Sequence, residues 1–415
     1  MRVVHASTSA VHGGAGRAAR RLHEAMLQAG VDSHMVTGDQ PEDLAEAGLT
    51  AAHGVPAGLA FHGRIERART FAAARARGRV FTSGLHGAPA VRRQIKDLAP
   101  DVVNLHWIGA GFLGLSDLSS IPSSLVWTMC DMWPITGGCH YSGDCGRYRG
   151  ECGVCPLLGE RSNRDLSYRV WQAKSHAYTL QSELVLVAKS SWMMAAAEQS
   201  SLATGHRVVR IPNGIDTDFW GPQDQYEARR QLGLPGSGVT LAFVADSVFD
   251  PRKGFDLAVR VAQSVAGVAG PTTVLAVGGG DPIAVATLVD GSRRVEIKSL
   301  GQIREPELLR SVYCASDATL LTSREENLAN VALESLACGT PVAAFDIGGN
   351  LDLVQTGVTG CLIPPFDTQE MAHATTALIG EESVRNRARS YTVENFSWAN
   401  VVSEYLQVYR SLSTG

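Results

Sequence analysis

Short β-like runs alternate with helical segments twice along this chain, and a break separates the two series. The break is Ile211-Pro212-Asn213-Gly214, where proline and Asn-Gly interrupt regular structure as a hinge does. Strand-like runs lie at 3–7, 102–106, 125–129 and 184–188 before it, and at 239–245, 273–277, 318–321 and 342–345 after it. Such alternation predicts two α/β domains, each a doubly wound parallel sheet. We place them at residues 1–213 and 214–396, and we expect a C-terminal helix at 397–415 to pack back on the first.

Length and composition are sufficient for two ordinary domains. The chain has 415 residues, 45% of them hydrophobic, and domains of roughly 200 residues bury substantial cores. A net charge near −4 argues against general nucleic-acid binding. No uninterrupted apolar run approaches the ~18 residues of a membrane-spanning helix, and the opening MRVVHAS lacks the regions of a signal peptide. We therefore expect a cytoplasmic protein, with peripheral contact at the inner membrane face as the alternative.

The stretch from Leu321 to Asn350 is a candidate ligand site because it runs from a strand through a polar corner into a helix. In an open α/β sheet, ligands bind outside the carboxyl ends of strands and at the amino ends of helices. Glu326 and Glu334 have E-x7-E spacing, which on one continuous helix separates them by about 12 Å. A buried Glu334 needs a hydrogen-bond donor, and sugar hydroxyls would serve. The alternative for Glu326 is a capping box with Ser323.

Two loops that follow strands are candidates for phosphate binding. Arg252 and Lys253 are adjacent in a loop with proline and glycine, where arginine offers a fork and lysine a point charge to a diphosphate. Gly13 and Gly14 lie between a strand and a helix, and glycines there let the backbone approach an anion. The alternatives are ordinary surface cations in one loop and tight packing in the other.

The segment from Phe61 to Phe81 is strongly basic. It has arginines at 64, 67, 69, 75, 77 and 79, with Glu66 as the one acidic residue among them. A basic helix that also carries apolar side chains predicts contact with an anionic membrane, which would suit a lipid-linked acceptor. A solvated helix face is the alternative.

Four of the eight cysteines lie within seventeen positions, at Cys139, Cys145, Cys152 and Cys155. Their C-x5-C-x6-C-x2-C spacing ends in a tight Cys-Gly-Val-Cys knuckle, which suits tetrahedral zinc. This pattern predicts a structural zinc, with His140 as a substitute ligand. Reduced packing cysteines or two disulfides are the alternatives.

Four motifs occur in the order found in one enzyme family. They are Ile211-Pro212-Asn213-Gly214-Ile215-Asp216, Arg252-Lys253-Gly254, the E-x7-E element from Glu326 to Glu334, and Ala337-Cys338-Gly339-Thr340-Pro341-Val342. Over nearly its whole length the sequence resembles the retaining family 4 glycosyltransferases. The resemblance implies a GT-B fold, in which two Rossmann-like domains face each other across a cleft. It also implies sugar transfer from a nucleotide diphosphate donor with retention at the anomeric carbon, and no metal or other cofactor at that step.

The resemblance implies roles for individual residues of the donor site. Arg252 and Lys253 look like the pair that binds the leaving diphosphate. Glu326 resembles the residue that contacts donor-sugar hydroxyls, and Glu334 resembles the ribose-binding glutamate. Ile303 stands where the family contacts the base.

The remaining implied donor contacts come from the backbone. Gly13 and Gly14 match the first-domain loop that closes on the phosphates. Amides of the second domain would meet the sugar or phosphate near Leu328, Ala329 and Asn330.

The segment from Trp127 to Pro156 narrows the resemblance to a subgroup that includes colanic-acid and other exopolysaccharide transferases. Those relatives have a histidine before the aspartate of a His-Asp-Met-Trp element, whereas Cys130 precedes Asp131 in this chain. Asp131 is our catalytic candidate in the first domain. His106, at another strand end, is a candidate to replace the missing histidine.

The leading hypothesis is a retaining glycosyltransferase that uses a UDP-sugar, or alternatively a GDP-sugar. The acceptor would be a hydroxyl of a glycan, a glycolipid or a small metabolite, as in exopolysaccharide biosynthesis. The alternatives on the same fold are a nucleotide-sugar epimerase or phosphorylase, and a catalytically weak nucleotide-sugar-binding protein. The replacement at Cys130 lends weight to the last.

Overall fold

The computed structural model describes residues 1–55, 61–66, 80–159, 161–181, 183–288 and 294–413. The chain divides into two compact domains, the first made of Met1–Pro212 with Val401–Gly415 and the second of Asn213–Asn400. The boundaries predicted from the sequence lie at 213/214 and 396/397.

The first domain is built on a seven-stranded sheet in the order β3-β2-β1-β4-β5-β6-β7, in which every neighbouring pair is parallel. The strands are β1 Arg2–Ser7, β2 Asp32–Thr37, β3 Ala52–Gly54, β4 Val102–Leu105, β5 Ser124–Met129, β6 Val185–Ala188 and β7 Arg207–Arg210. The labelled helices are α1 Gly13–Gln28, α2 Pro41–Glu46, α3 Pro89–Asp97, α4 Leu115–Leu118, α5 Leu166–Thr179 and α6 Ser191–Glu198. The central strands β4 and β6 are buried along their whole length, as expected for a sheet covered on both faces.

The second domain repeats the plan with a six-stranded parallel sheet in the order β10-β9-β8-β11-β12-β13. Its strands are β8 Val239–Ser247, β9 Thr272–Gly279, β10 Val295–Gly301, β11 Ala318–Leu321, β12 Val342–Phe345 and β13 Gly360–Ile363. Its labelled helices are α7 Gln225–Gln231, α8 Phe255–Ala269, α9 Pro282–Thr287, α10 Pro306–Ala315, α11 Asn330–Ala337, α12 Asn350–Leu353, α13 Thr368–Leu378 and α14 Glu382–Phe396.

Both sheets reverse their strand order at one point, which is the switch of a Rossmann-like fold. In the first domain the switch lies between β1 and β4, and in the second it lies between β8 and β11. The prediction of two doubly wound, Rossmann-like domains is confirmed. Ligands of such sheets bind outside the carboxyl ends of the strands at the switch, so the loops after these four strands are the first candidates for a ligand site.

The last helix, α15 (Trp398–Ser413), begins in the second domain and passes to the first at Val401. A Cβ on Gly214 would lie 2.2 Å from the Trp398 ring, so only glycine fits under that indole. Further along, the Tyr409 hydroxyl accepts a hydrogen bond from Asn104 at 2.7 Å. Tyr405 lies within 3.1 Å of the Thr128 hydroxyl. Buried tyrosine hydroxyls thus tie the helix to β4 and β5 of the first domain.

Within the described ranges, no helix has both the length and the apolar character that crossing a bilayer requires. The basic segment proposed for membrane contact falls largely outside the described residues. Arg64 is its one described arginine, and the Arg64 side chain is exposed.

Candidate functional site

The Arg252-Lys253 pair lies in a short 3-10 turn, Pro251–Lys253, that joins β8 to α8. Asp250 caps this turn by accepting a hydrogen bond from the Arg252 amide at 2.9 Å. Gly254 ends the turn with φ +71°, and a Cβ there would lie 2.1 Å from the Thr322 carbonyl oxygen. The glycine therefore lets the turn lie directly against the loop after β11, on the other side of the switch point.

Glu326 is the carboxylate that meets these cations. Its Oε2 lies 2.6 Å from Lys253 Nζ and 3.9 Å from the Arg252 guanidinium, and the side chain is 8% exposed. The Asn327 amide donates to its other oxygen at 3.2 Å. Burial alone would raise the pKa of Glu326, but the charges of Lys253 and Arg252 outweigh it and hold the pKa below its ordinary value. The carboxyl is therefore ionised at neutral pH.

The loop between β11 and α11 corrects one expectation. The helix begins at Asn330, with Ala329 at its N-cap position, and Glu326 precedes it in the loop. The separation calculated for one continuous helix does not apply, and no capping box forms. Ser323 instead hydrogen-bonds to the Glu326 carboxylate across the loop, at 3.4 Å.

Glu334 lies inside α11 and is buried. Its Oε2 accepts a hydrogen bond from the Tyr313 hydroxyl at 2.9 Å, and Tyr313 is on the neighbouring helix α10. The buried carboxylate therefore has a hydrogen-bond donor within the protein, as its burial requires, and its contact with a ligand hydroxyl stays a prediction.

The remaining predicted donor contacts lie around the same edge. Leu328 and Ala329 are buried just before α11, and Asn330 accepts a hydrogen bond from Asn213 at 2.8 Å. Ile303 follows β10 and packs partly buried against the second-domain core. The residues that the structure brings into direct contact are Arg252, Lys253 and Glu326.

Gly348 is a part of this edge that the sequence did not predict. It follows β12 with φ +58°, and a Cβ there would lie 1.8 Å from the Glu326 carbonyl oxygen. Gly349 then donates its amide to that oxygen at 3.4 Å. The two consecutive glycines after a strand were the available signal, because such a pair marks a close backbone approach.

The glycines between β1 and α1 of the first domain differ in the space that surrounds them. A Cβ on Gly13 or Gly14 would meet no atom of the described chain within 4 Å, whereas one on Gly16 would lie 2.6 Å from the Ser9 carbonyl oxygen. Packing therefore explains Gly16 but not the other two. Gly13 begins α1 with φ +74°, a conformation that glycine adopts without strain.

Asp131 follows β5 and is anchored on both oxygens. Oδ1 accepts the Trp133 amide at 2.8 Å, and Oδ2 lies 2.7 Å from His140 Nδ1. His140 Nε2 in turn lies 2.9 Å from the Thr82 hydroxyl. This chain of three side chains was not predicted, since Thr82 comes from a distant loop and the folding of the β5–α5 connection brings His140 back to Asp131.

The position before Asp131 holds the Cys130 thiol, which lies 3.8 Å from Lys189 Nζ. Burial raises the pKa of that thiol, with Lys189 acting in the opposite direction. His106 directly follows β4, and its Nε2 atom lies 3.1 Å from the Nδ1 atom of His5. Burial, followed by the charge on Lys189, lowers the pKa of His106. Both groups are therefore neutral at pH 7.

The four clustered cysteines line one small cavity of about 20 Å³. Within the described chain none of them forms a disulfide, and no three His, Cys, Asp or Glu side chains are grouped as a metal site requires. Burial raises the pKa of Cys139 to about 12 and that of Cys152 to about 11, which favours protonated thiols. The structural zinc at Cys139, Cys145, Cys152 and Cys155 remains a prediction. Metal analysis of protein purified without added zinc tests it, and a content near zero would remove it.

Two Rossmann-like domains, with cations and a carboxylate at the second switch point, are the construction of a GT-B protein. The family profile of Glycosyltransferase Family 4 matches residues 12–219, and that of glycosyl transferases group 1 matches residues 238–381. The first of these matches spans half of the chain. The chain therefore belongs to glycosyltransferase family 4.

Curated relatives include D-inositol 3-phosphate glycosyltransferases. That of Actinosynnema mirum is 32% identical over 216 residues, which are 49% of this chain and 51% of that protein. That of Mycobacteroides abscessus is 33% identical over 214 residues, which are 49% of this chain and 46% of that protein. The chain spans about half the length of the curated relatives it matches. Both relatives are named for inositol phosphate glycosyl transfer, and neither is named for the colanic-acid subgroup.

Solved structures share the fold over the whole chain. Sucrose-phosphate synthase from Thermosynechococcus elongatus has a TM-score of 0.69 at 18% identity, covering 99% of both chains. Anabaena HepE in complex with UDP has a TM-score of 0.67 at 18% identity, covering 99% of this chain and 100% of that one. HepE has also been solved with UDP-glucose. At this level of identity the likeness establishes the fold alone.

Proposed function

We propose that this chain is a retaining glycosyltransferase that moves a sugar from a UDP-sugar to an acceptor hydroxyl. The observation that carries the proposal is the cluster at the second switch point, where Lys253 and Arg252 lie on Glu326. Family membership supports sugar transfer as the activity, and the solved UDP complexes of the structural neighbour HepE support UDP as the nucleotide.

The proposed chemistry needs no enzymic nucleophile. The acceptor hydroxyl attacks the anomeric carbon from the face on which the bond to the diphosphate breaks. The leaving phosphate oxygen takes the acceptor's proton, so the products are the glycoside and UDP. Arg252 and Lys253 stabilise the negative charge that grows on the diphosphate.

Glu326 has two roles in this proposal. Without donor it holds Lys253 at 2.6 Å, which fixes the ammonium in advance at the position where the charge develops. When the donor is bound, Lys253 also donates hydrogen bonds to the diphosphate. The Glu326 carboxylate then becomes available to accept hydrogen bonds from hydroxyls of the sugar. Glu334 would hold the ribose, with Tyr313 fixing the orientation of its carboxylate.

On the acceptor side, Asp131 is the proposed contact to the reacting hydroxyl. His140 and the Trp133 amide hold its two oxygens in place. A small polar acceptor related to inositol phosphate is the first to test, because the curated relatives act on D-inositol 3-phosphate by name. An exopolysaccharide acceptor remains the proposal that the Trp127–Pro156 segment favours.

The test is to incubate the chain with a panel of UDP- and GDP-sugars, with and without acceptors, and to measure nucleotide release. Transfer predicts slow UDP release that rises at least tenfold with the right acceptor. Interconversion of sugars without release would show an epimerase, and sugar 1-phosphate formed from a glycoside and phosphate would show a phosphorylase. Tight donor binding without turnover on any acceptor would show a binding protein. Each of these three results contradicts the proposal.

A further inference from the structure

Lys189 is a buried cation in the first domain that pairs with no carboxylate of the described residues. It directly follows β6 and is 5% exposed. Among the described residues, its ammonium hydrogen-bonds to the Cys130 sulfur at 3.8 Å and pairs with no carboxylate. A thiol is a weak acceptor, and this one is neutral, so it leaves the charge on Lys189 uncompensated. Lysine is almost never buried in this way unless an opposite charge accompanies it.

A second buried polar side chain nearby has one ring nitrogen without a hydrogen-bond partner among the described residues. His106 is 2% exposed, and its Nδ1 forms no hydrogen bond within the described chain. It follows β4, Cys130 follows β5 and Lys189 follows β6, and these three strands are neighbours in the sheet. The three side chains therefore occupy one stretch of the carboxyl edge, where ligands of such sheets bind.

The chemistry of this edge selects its occupant. A metal cation would be repelled by Lys189, and a neutral hydroxyl would leave the ammonium charge unanswered. An anion would answer it and could also hydrogen-bond to the neutral imidazole. The helix α6 begins at Ser191, two residues after Lys189, and the positive end of its dipole also favours an anion.

We propose that the β4–β6 edge of the first domain binds an anionic group, a phosphate or a carboxylate, carried by the acceptor, with Lys189 as its cation. The assignment of the anion to an acceptor rests on the proposed transferase function, whereas the anion site itself does not. An anion site here would mean that the acceptor is anionic. Lys189, beside Cys130, would then bind the acceptor at the position where relatives have a histidine.

The first experiment measures anion binding directly. The full chain is saturated with UDP, so that Arg252 and Lys253 are occupied, and is then titrated with inorganic phosphate by calorimetry. Lys189→Met keeps most of the side-chain volume and removes the charge. Lys96→Met, on the exposed face of α3, is the matched control.

Wild type and Lys96→Met should bind phosphate saturably, and Lys189→Met should bind it at least tenfold more weakly. Lys189→Arg should keep most of the affinity, because it keeps the charge. Circular dichroism of each variant reports whether it is folded. Equal phosphate affinity in wild type and folded Lys189→Met, or no saturable binding in wild type, would overturn the anion site.

The second experiment identifies the acceptor class. With a UDP-sugar as donor, kcat/KM for D-inositol 3-phosphate is divided by that for unphosphorylated inositol. The inference predicts a ratio above about 100 in wild type and Lys96→Met, and a ratio near one in Lys189→Met. A high ratio that survives in Lys189→Met would overturn the role of Lys189.

The two proposals fail in different ways. If no UDP-sugar is consumed under any condition, the transferase function fails, while the phosphate titration still decides whether the anion site exists. If transfer occurs only to acceptors without an anionic group, the transferase stands and the anionic acceptor is wrong.

Discussion

Two lysines at carboxyl edges of parallel sheets, one in each domain, differ in how their charge is balanced. Lys253 in the second domain lies 2.6 Å from the buried Glu326 carboxylate. Lys189 in the first domain lies 3.8 Å from a neutral thiol. A balanced pair is arranged before any ligand arrives, and in the proposed function it shares its cation with the donor. An unbalanced cation is stabilised only by what binds to it. The charge at the second-domain edge is therefore balanced without a ligand, whereas the proposed anion would balance the charge at the first-domain edge.

The largest expected effect is on turnover, and it comes from the balanced pair. Lys253→Met should lower kcat/KM for the UDP-sugar by about 10³-fold, because the charge developing on the diphosphate loses one of its two proposed cations. Nucleotide release measures this effect. Lys298→Met is the control, since that second-domain lysine hydrogen-bonds to the Gly233 carbonyl, away from the proposed donor contacts. A loss of less than tenfold would mean that Lys253 is not part of the transfer site.

The same two lysines should affect stability in opposite directions. Lys253→Met leaves Glu326 as a buried, weakly paired carboxylate and should cost about 3 kcal/mol of unfolding free energy. Lys189→Met replaces an unbalanced buried cation with an apolar group and should leave the free energy unchanged or raise it by about 1 kcal/mol. Urea unfolding without ligands measures both. Equal losses in the two variants would refute the comparison.

A glycine in each domain sharpens the contrast between a packed edge and an open one. Gly348→Ala puts a Cβ 1.8 Å from the Glu326 carbonyl oxygen at φ +58°, and it should destabilise the protein by about 2–3 kcal/mol. Gly14→Ala meets no described atom within 4 Å and should leave the melting temperature within about 1 °C. Thermal unfolding measures both. A large loss in Gly14→Ala would show that packing, not ligand approach, explains that glycine.

The common location of Arg252, Lys253 and Glu326 could be predicted because the loops after parallel strands emerge on one edge of a sheet, but their ion pair was not predicted. The role of Tyr313 could not, because its pairing with Glu334 depends on how two helices pack, which no spacing encodes. Apolar residues extend back to Leu328, whereas α11 begins at Asn330, and the preceding loop contacts Gly348 through the Glu326 carbonyl.

Short and half-exposed strands escape prediction for another reason. β3 has three residues, and β7 (RVVR) is exposed or half-buried throughout, so neither shows a buried apolar run. In the first domain, a motif identifies Asp131, whereas nothing in the sequence singles out Lys189. Its significance is that it is buried without a counter-charge from the part of the chain that the structure describes, and burial of a single polar residue leaves no periodic signal in a sequence.

A tenfold effect is expected at the ribose position of the second domain. Glu334→Gln should weaken UDP binding about tenfold, since a charge-assisted hydrogen bond to a ribose hydroxyl is replaced by a neutral one. Tyr313→Phe should weaken it about threefold, because the carboxylate stays but loses the hydroxyl that orients it. Calorimetry with UDP measures both, and kcat at saturating donor should change little. Wild-type affinity in Glu334→Gln would remove the ribose assignment.

The smallest expected effect is the pH dependence of unfolding, which should differ between the two domains. Burial lowers the pKa of His5, His23 and His106 in the folded first domain. The unfolded chain therefore binds more protons than the folded one below about pH 6.5, and stability is lost as the pH falls from there. Glu326 in the second domain also has a lowered pKa, but an acid group contributes its stability above about pH 4.5 and loses it only below that value.

Five of the seven tryptophans precede residue 213, so urea unfolding followed by fluorescence reports mainly on the first domain. Between pH 7.5 and 5.5 its midpoint should fall, and less so in His106→Asn than in the exposed-site control His12→Asn. A midpoint that does not depend on pH across this range would mean that the buried histidines do not distinguish the first domain from the second.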